Sequence, residues 1–450
     1  MRVLACRGEL TPTPRPCAFV MTGRVRTLVG RLPSSLRGVS SIVAGSAIGQ
    51  GLVILAYPLL TRLYDPAEFG LLTVFTAVVG LVGVVSTAAL EYAVPIPVED
   101  SQAASVAWAG LGWVALTGLL TAALGPLLAG PLSDLLGVPR LADVWWLVAL
   151  SVVVLGTYLL LSEWMTRSRE YGALGRRNAL QGIGQAGSQI AFGVAGAGAL
   201  GLLSGFGIGR LAAMGGLFSR RGLLRQPWPG RRAIIAALRR FRRFPLVAMP
   251  SRLINSAGLD TPLLVVSALY GDVRAGLLGL TVRVVSGPAA LIGEAVTKVF
   301  VGDSSSELRD RKSTMGASVR SNVGRMLMLG VVPALVLLLF APNLFGWVFG
   351  PEWTEAGEYA RLLAPAYLAQ FAIAPVSPAL MLLERQGRLL GWSVWRLVLA
   401  AGGPAVCGLA GAPILTAVLV LSAAQVTSYV LMYFLCVRAA DASDASGASL

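Results

Sequence analysis

Twelve stretches of about 20 predominantly apolar residues divide this sequence, near 40–61, 69–94, 103–125, 142–164, 174–196, 198–218, 245–269, 275–299, 318–340, 358–382, 390–410 and 413–436. About 20 residues is the length an α-helix needs to cross the hydrocarbon of a bilayer. The pattern predicts an all-α integral membrane protein with about twelve transmembrane helices. The fifth and sixth stretches are the least distinct, because glycine-rich sequence joins them without a clear break. Glycine is common where membrane helices approach closely. A mean hydropathy of +0.72 with 13% charged residues excludes a soluble globular domain.

The formal net charge of +15 would suggest a nucleic-acid partner in a soluble protein. Here the bases have another explanation. With the N-terminus inside, the inner connections hold 27 basic residues and the outer ones only Arg62, Arg140 and Arg274. That asymmetry follows the positive-inside rule. It predicts a multi-pass protein of the cytoplasmic (inner) membrane with both termini cytoplasmic, and no nucleic-acid partner.

Residues 1–37 carry seven Arg and one Glu among four prolines and read as a basic disordered tail, with Met21 an alternative start. Residues 219–243 separate one six-helix lobe (38–218) from another (244–437). Within them Ile234, Ile235, Leu238 and Phe241 share a helical face, as in an amphipathic helix on the inner membrane surface. Residues 438–450 read as a polar tail with no fold of their own. The halves share a faint repeat: Pro58-Leu59-Leu60, Tyr64 and Gly70-Leu71-Leu72 match Pro262-Leu263-Leu264, Tyr270 and Gly276-Leu277-Leu278, each at the first outer turn of its half. Parallel repeats of this kind occur in transporters.

Phe244–Phe300 concentrates charge inside the membrane. Arg252 and Asp260 lie in one apolar segment, and Arg283, Glu294 and Lys298 in or near the end of the next. A charge at the centre of a membrane helix costs about 2.5–3.5 kcal/mol on insertion scales, so such groups face inward, paired or in water. Arg252, Ser256 and Asp260 recur every fourth residue, on one helical face, with Asn255 beside them. Asn178, Gln181 and Gln185 form a second polar stripe and Gln50 lies on a third; Arg210 and Arg396 add charge to later segments. Such stripes line a central cavity or hydrogen-bond between helices. The chain has no His, which excludes His-based acid–base catalysis and the commonest zinc sites. The four cysteines have no metal or disulfide spacing. No phosphate-binding loop, nucleophile elbow or metal cluster is visible, so neither enzyme activity nor a bound cofactor is expected.

The sequence from Tyr57 to Leu72 (YPLLTRLYDPAEFGLL) closely resembles the first outer turn of the polysaccharide-biosynthesis, Wzx-type oligosaccharide flippase family, within the multidrug/oligosaccharidyl-lipid/polysaccharide exporter superfamily. Glu91-Tyr92-Ala93-Val94-Pro95-Ile96-Pro97 resembles the inner end of that family's second helix. Phe244-Pro245, Pro250 and Asn255 resemble the start of its second half, and Arg283, Pro288 and Ile292-Gly293 its eighth helix. Phe345-Gly346, Phe349-Gly350, Trp353 and Ala356–Ala360 resemble its fifth outer loop. In one departure, Ala89 stands where the family often has a basic residue, two places before Glu91.

The resemblance implies two six-helix lobes around a cationic cavity, alternating between inward and outward openings. The implied substrate is an undecaprenyl-pyrophosphate-linked oligosaccharide. Arg252, Arg283 and Arg210 would receive the pyrophosphate, and Asp260 would orient Arg252 or take part in ion coupling. Gln50, Asn178, Gln181, Gln185, Asn255 and Ser256 would meet sugars. The implied partners are membrane lipids and a glycan polymerase or export machinery; a proton, a sodium ion or the membrane potential could drive transport. The alternatives are a drug/cation antiporter of the same superfamily, a major-facilitator transporter and a membrane glycan polymerase or ligase. An arginine-rich core, an acidic loop without a base between helices two and three (Val98-Glu99-Asp100-Ser101) and short outer loops argue against the three in turn.

Overall fold

The computed structural model describes residues 34–215, 223, 226–309 and 314–447. Residues 1–33 of the tail expected over 1–37, and residues 219–222 and 224–225 of the connection between halves, lie outside these; residues 34–37 belong to the first helix instead of the tail. The described chain forms twelve long helices: α1 (Ser34–Leu63), α2 (Pro66–Ser86), α3 (Asp100–Leu135), α4 (Trp145–Arg167), α5 (Tyr171–Val194), α6 (Gly198–Met214), α7 (Met249–Tyr270), α8 (Asp272–Arg309), α9 (Met315–Phe349), α10 (Thr354–Ile373), α11 (Gln386–Leu409) and α12 (Ile414–Gly447). Ten of the spans are long and apolar enough to cross a membrane by themselves. The other two helices are α5, which is rich in Gly and Gln, and α6, which has only 17 residues. Leu119, Val332, Leu339 and Val398 point outward with 60% or more of their surface exposed, as lipid-facing side chains do.

In the first half α1 packs on α5, α5 on α6 and α3 on α4; in the second α9 packs on α10, α7 on α11, and α12 on both α10 and α11. The halves meet where α2 lies against α7 and α8. The α1–α2 turn is set by a capping box, in which Asp65 Oδ1 accepts from the Glu68 amide at 2.8 Å and Glu68 Oε2 from the Asp65 amide at 3.1 Å. Pro66 occupies the first turn of α2, where its missing N–H costs nothing.

The repeated glycines meet reciprocally across the halves. A Cβ on Gly70 of α2 would lie 2.0 Å from the Asp272 carbonyl oxygen at the start of α8. One on Gly276 of α8 would lie 2.0 Å from the Pro66 carbonyl oxygen at the start of α2. Glycine is required at both places because backbone touches backbone. The α1–α2 end is thus closed by direct contact between halves. The opposite end carries most of the arginines and is called the basic end below.

Four features differ from expectation. The second helix ends at Ser86 rather than near 94: Ala88 and Ala89 adopt left-handed conformations (φ 51° and 56°), and a 3₁₀ turn, Leu90–Ala93, follows. The long outer loop expected around 341–357 is mostly helix. Phe345 and Phe349, their rings tilted with centroids 5.1 Å apart, are buried with Trp353, and this packing carries α9 through Pro342 and Gly346. The C-terminal tail continues α12 to Gly447, because Ala439 and Ala440 are buried and the acids beyond them have partners. Asp444 accepts the Met315 and Gly316 amides at 3.1 and 2.9 Å, capping α9, and Asp441 pairs with Arg320 at 2.6 Å. Finally, the connecting helix Gly230–Arg240 docks on protein. Ile234, Leu238 and Phe241 pack with the start of α3, while Ile235 stays 50% exposed.

Candidate functional site

Gly45 and Gly49 of α1 meet α5 backbone-to-backbone; a Cβ on Gly45 would sit 2.0 Å from the Gly175 carbonyl oxygen. This close approach turns the neighbouring polar residues of both helices to one side. There they line a cavity of about 510 Å³ with Tyr158 of α4 and Arg283 of α8. Gln50, Asn178, Gln181, Gln185 and Arg283 of the expected site residues all border it.

Arg177 belongs to the same wall. Its guanidinium stacks 4.5 Å over the Tyr158 ring and donates to Asn178 Oδ1 at 2.8 Å and to Ser162 Oγ. Asn178 Nδ2 donates in turn to Ser46 Oγ at 2.8 Å, and the Tyr158 hydroxyl to Gln181 Oε1. Arg283 donates to Thr76 Oγ1 of α2 at 2.8 Å and meets the Tyr57 hydroxyl. Among the described residues, neither Arg177 nor Arg283 forms an ion pair with a carboxylate. Glu163 acts on Arg177 at longer range, but the hydrogen bonds that fix the direction of both charges come from neutral partners, an arrangement suited to an anion.

A second cavity, of about 440 Å³, lies on the adjacent face of α8. Its walls are apolar, with Leu259, Leu263, Leu278, Leu363, Tyr367 and Phe371 among them, and Asp260 enters from α7. Val282, Ser286 and Glu294 of α8 border both spaces. Glu294 is held by Lys298 one turn on, at 2.7 Å.

The three arginines expected to act together are separated. Arg283 lines the polar cavity. Arg210 lines neither cavity; it is folded back on α6, donating to the Phe206 carbonyl at 2.8 Å with its guanidinium 3.6 Å over the Phe206 ring. Arg252 stands at the basic end of α7, ion-paired with Glu91 and stacked 4.5 Å from the Tyr92 ring.

Asp260 does not orient Arg252. Eight residues of helix put them about 12 Å apart along the axis, and Asp260 lies instead where a Cβ on Gly80 of α2 would be 3.4 Å from its Oδ2. The partner of Arg252 is Glu91, which reaches it from the other half. Ala89 is fully buried and left-handed, and the cation beside Glu91 comes from α7. Asn255 accepts from Arg396 Nη2 at 3.1 Å, and Ser256 is half-buried without bordering either cavity. Sequence reasoning missed Arg177, grouped with Arg176 as a loop charge, and Tyr158, hidden in an apolar run. The signal for Arg177 was its place at the head of the Asn178–Gln181–Gln185 stripe.

Solved transporters share this architecture. An inward-facing multidrug resistance MATE transporter of the MOP superfamily aligns with a TM-score of 0.59 at 16% identity, over 90% of this chain and 95% of that one. The lipid II flippase MurJ, in an inward closed conformation, aligns at 0.65 and 11% identity over 89% and 86%. A MOP superfamily transporter from Pyrococcus furiosus gives 0.58 at 15% identity over 90% and 96%. Identities this low establish the fold only. In sequence, residues 59–358 match the family model described as polysaccharide biosynthesis protein, and the chain belongs to that family. The succinoglycan biosynthesis transport protein ExoT of Rhizobium meliloti (strain 1021) is 26% identical over 385 residues, 79% of this chain and 70% of that protein. The protein is thus a multi-pass membrane protein of the polysaccharide biosynthesis family with a transporter fold.

Proposed function

We propose that the protein flips a lipid-linked oligosaccharide, carried on undecaprenyl pyrophosphate, across the cytoplasmic membrane. The observation that carries the reading is the pair of adjoining cavities along α8. One is polar and offers two arginines held by neutral hydrogen-bond partners; the other is apolar. An amphiphile with a diphosphate, sugars and a prenyl chain matches both. The diphosphate would engage Arg177 and Arg283, sugars would meet Gln50, Asn178, Gln181 and Gln185, and the chain would lie toward Leu259 and Phe371. The basic end then faces the cytoplasm, with both termini on that side. Membrane lipids surround the transporter, and a glycan polymerase or export machinery would take the product.

Alternating access fits the two closures. The Gly70 and Gly276 contacts hold the outer end shut, whereas at the basic end the Glu91–Arg252 pair spans the halves. Opening inward breaks the pair; opening outward separates α2 from α8. A proton, a sodium ion or the membrane potential would drive the cycle. The test is reconstitution in liposomes with a fluorescent polyprenyl-diphosphate disaccharide. Transfer that is protein-dependent and lost in Arg283→Gln supports the reading. Equal transfer by protein-free vesicles or by folded Arg283→Gln refutes it.

A further inference from the structure

The second half holds a further cavity, of about 450 Å³, at the basic end between α7, α11 and α12. Arg396 of α11 is only 4% exposed there. Its guanidinium lies 4.7 Å over the Trp392 ring, and Nη2 donates to the Asn255 carbonyl at 3.0 Å and to Asn255 Oδ1 at 3.1 Å. Gly258 gives it room: a Cβ at that position would come within 3.1 Å of Nη2. The Tyr429 hydroxyl, on the same cavity wall, also meets the guanidinium, whose Nε is buried without a hydrogen-bond partner. No carboxylate lines the cavity, and no carboxylate pairs with Arg396 among the described residues. Arg252 borders the same space, with one Nη group held by Glu91 from outside it.

A buried guanidinium clamped in one plane by an indole and an amide, with an N–H unsatisfied and no counter-ion, is preorganised for a planar or tetrahedral oxyanion. We infer that this cavity is a second anion site, distinct from the one at Arg177 and Arg283, and that it takes a phosphate-class group between Arg396 and Arg252. The ligand's oxygens would supply the missing acceptor at Arg396, and its charge would compete with Glu91 for Arg252. The site makes no assumption about transport.

The test is calorimetric titration of the full-length protein in detergent, at low salt, with inorganic pyrophosphate. The wild type is expected to show two binding events. Arg396→Gln should weaken one of them by about tenfold or more, the equivalent of one charge-assisted hydrogen bond, while Arg283→Gln weakens the other. Arg396→Lys should restore part of the lost binding, because an ammonium keeps the charge without the fork. Gln386→Trp, at an exposed position of the cavity wall, should obstruct the same event without touching Arg396.

Superimposable titrations for wild type, Arg396→Gln and Gln386→Trp would overturn the inference. If Arg396→Gln fails to fold, an unchanged titration for Gln386→Trp overturns it alone. Native mass spectrometry then identifies the source. Adducts of a polyprenyl diphosphate, of phosphatidylglycerol or of free pyrophosphate that disappear in Arg396→Gln mark a carrier headgroup, an ordinary lipid or a soluble phosphate. Adducts of all three that persist contradict the site. Failure here leaves the flipping reading intact, since that is scored by transfer.

Discussion

Replacing Arg252 by Gln removes the cation from a carboxylate that has almost no access to water. The Glu91 side chain is 3% exposed, and its Oε2 is buried without a hydrogen-bond partner. Breaking a buried ion pair from one side costs about 3–5 kcal/mol, mostly the penalty of the stranded charge. Arg252 keeps 31% of its side chain exposed, so about 3 kcal/mol, the lower end, is expected. The same argument makes the double variant Glu91→Gln/Arg252→Gln more stable than Arg252→Gln, because two neutral amides need no counter-charge. A double-mutant cycle on thermal unfolding in detergent should therefore give a large favourable coupling, of at least about 2 kcal/mol. Additive losses, or an Arg252→Gln protein as stable as wild type, would show that the pair does not hold the halves together at the basic end.

Gly276→Val is expected to force α8 from the Pro66 carbonyl, destabilising the closed outer end by about 1–3 kcal/mol as overpacking does. Increased labelling of a cysteine placed on the cavity wall by an impermeant reagent added from outside would report it. Arg177→Gln should weaken binding of a polyprenyl diphosphate by about 10- to 100-fold, the worth of a hydrogen bond from a charged donor; isothermal titration checks this, and Arg177→Lys should lose less. Asp444→Ala should cost about 1 kcal/mol by uncapping α9, and Asp444→Asn less, both read by thermal unfolding. The exposed Arg320–Asp441 pair, with side chains 49% and 45% accessible, should contribute under about 1 kcal/mol and fade with salt.

The helices were legible because spanning hydrocarbon imposes a length and an apolar composition that few other folds share. The two least distinct stretches became α5, rich in Gly and Gln, and α6, only 17 residues long. Helix ends were less legible, since they depend on tertiary partners. Pro342 and Gly346 look like turn signals until Phe345 and Phe349 are seen packing with Trp353. Alanines 439 and 440 carry little hydropathy, yet are buried and lead to Asp444, whose work is done 129 residues away at Met315. The repeat at Gly70 and Gly276 was visible as letters, but its reason, mutual backbone contact, needed both halves.

The site was legible in part for the same reason. A polar stripe on one helix, such as Asn178–Gln181–Gln185, can be read from spacing alone. The choice of Glu91 over Asp260 as the partner of Arg252 rests on a contact 161 residues away in sequence. Helical spacing rules out Asp260, but nothing local points to Glu91.

The central claim is the translocation of a lipid-linked oligosaccharide, and the most direct measurement is its sidedness in cells lacking this protein. An impermeant glycan label is applied to intact cells and again after permeabilisation. The account predicts that lipid-linked sugar accumulates and is labelled only after permeabilisation, and that wild-type protein, but not Arg283→Gln, restores labelling from outside. Accumulated sugar already labelled in intact cells would contradict the account and place the missing step after translocation.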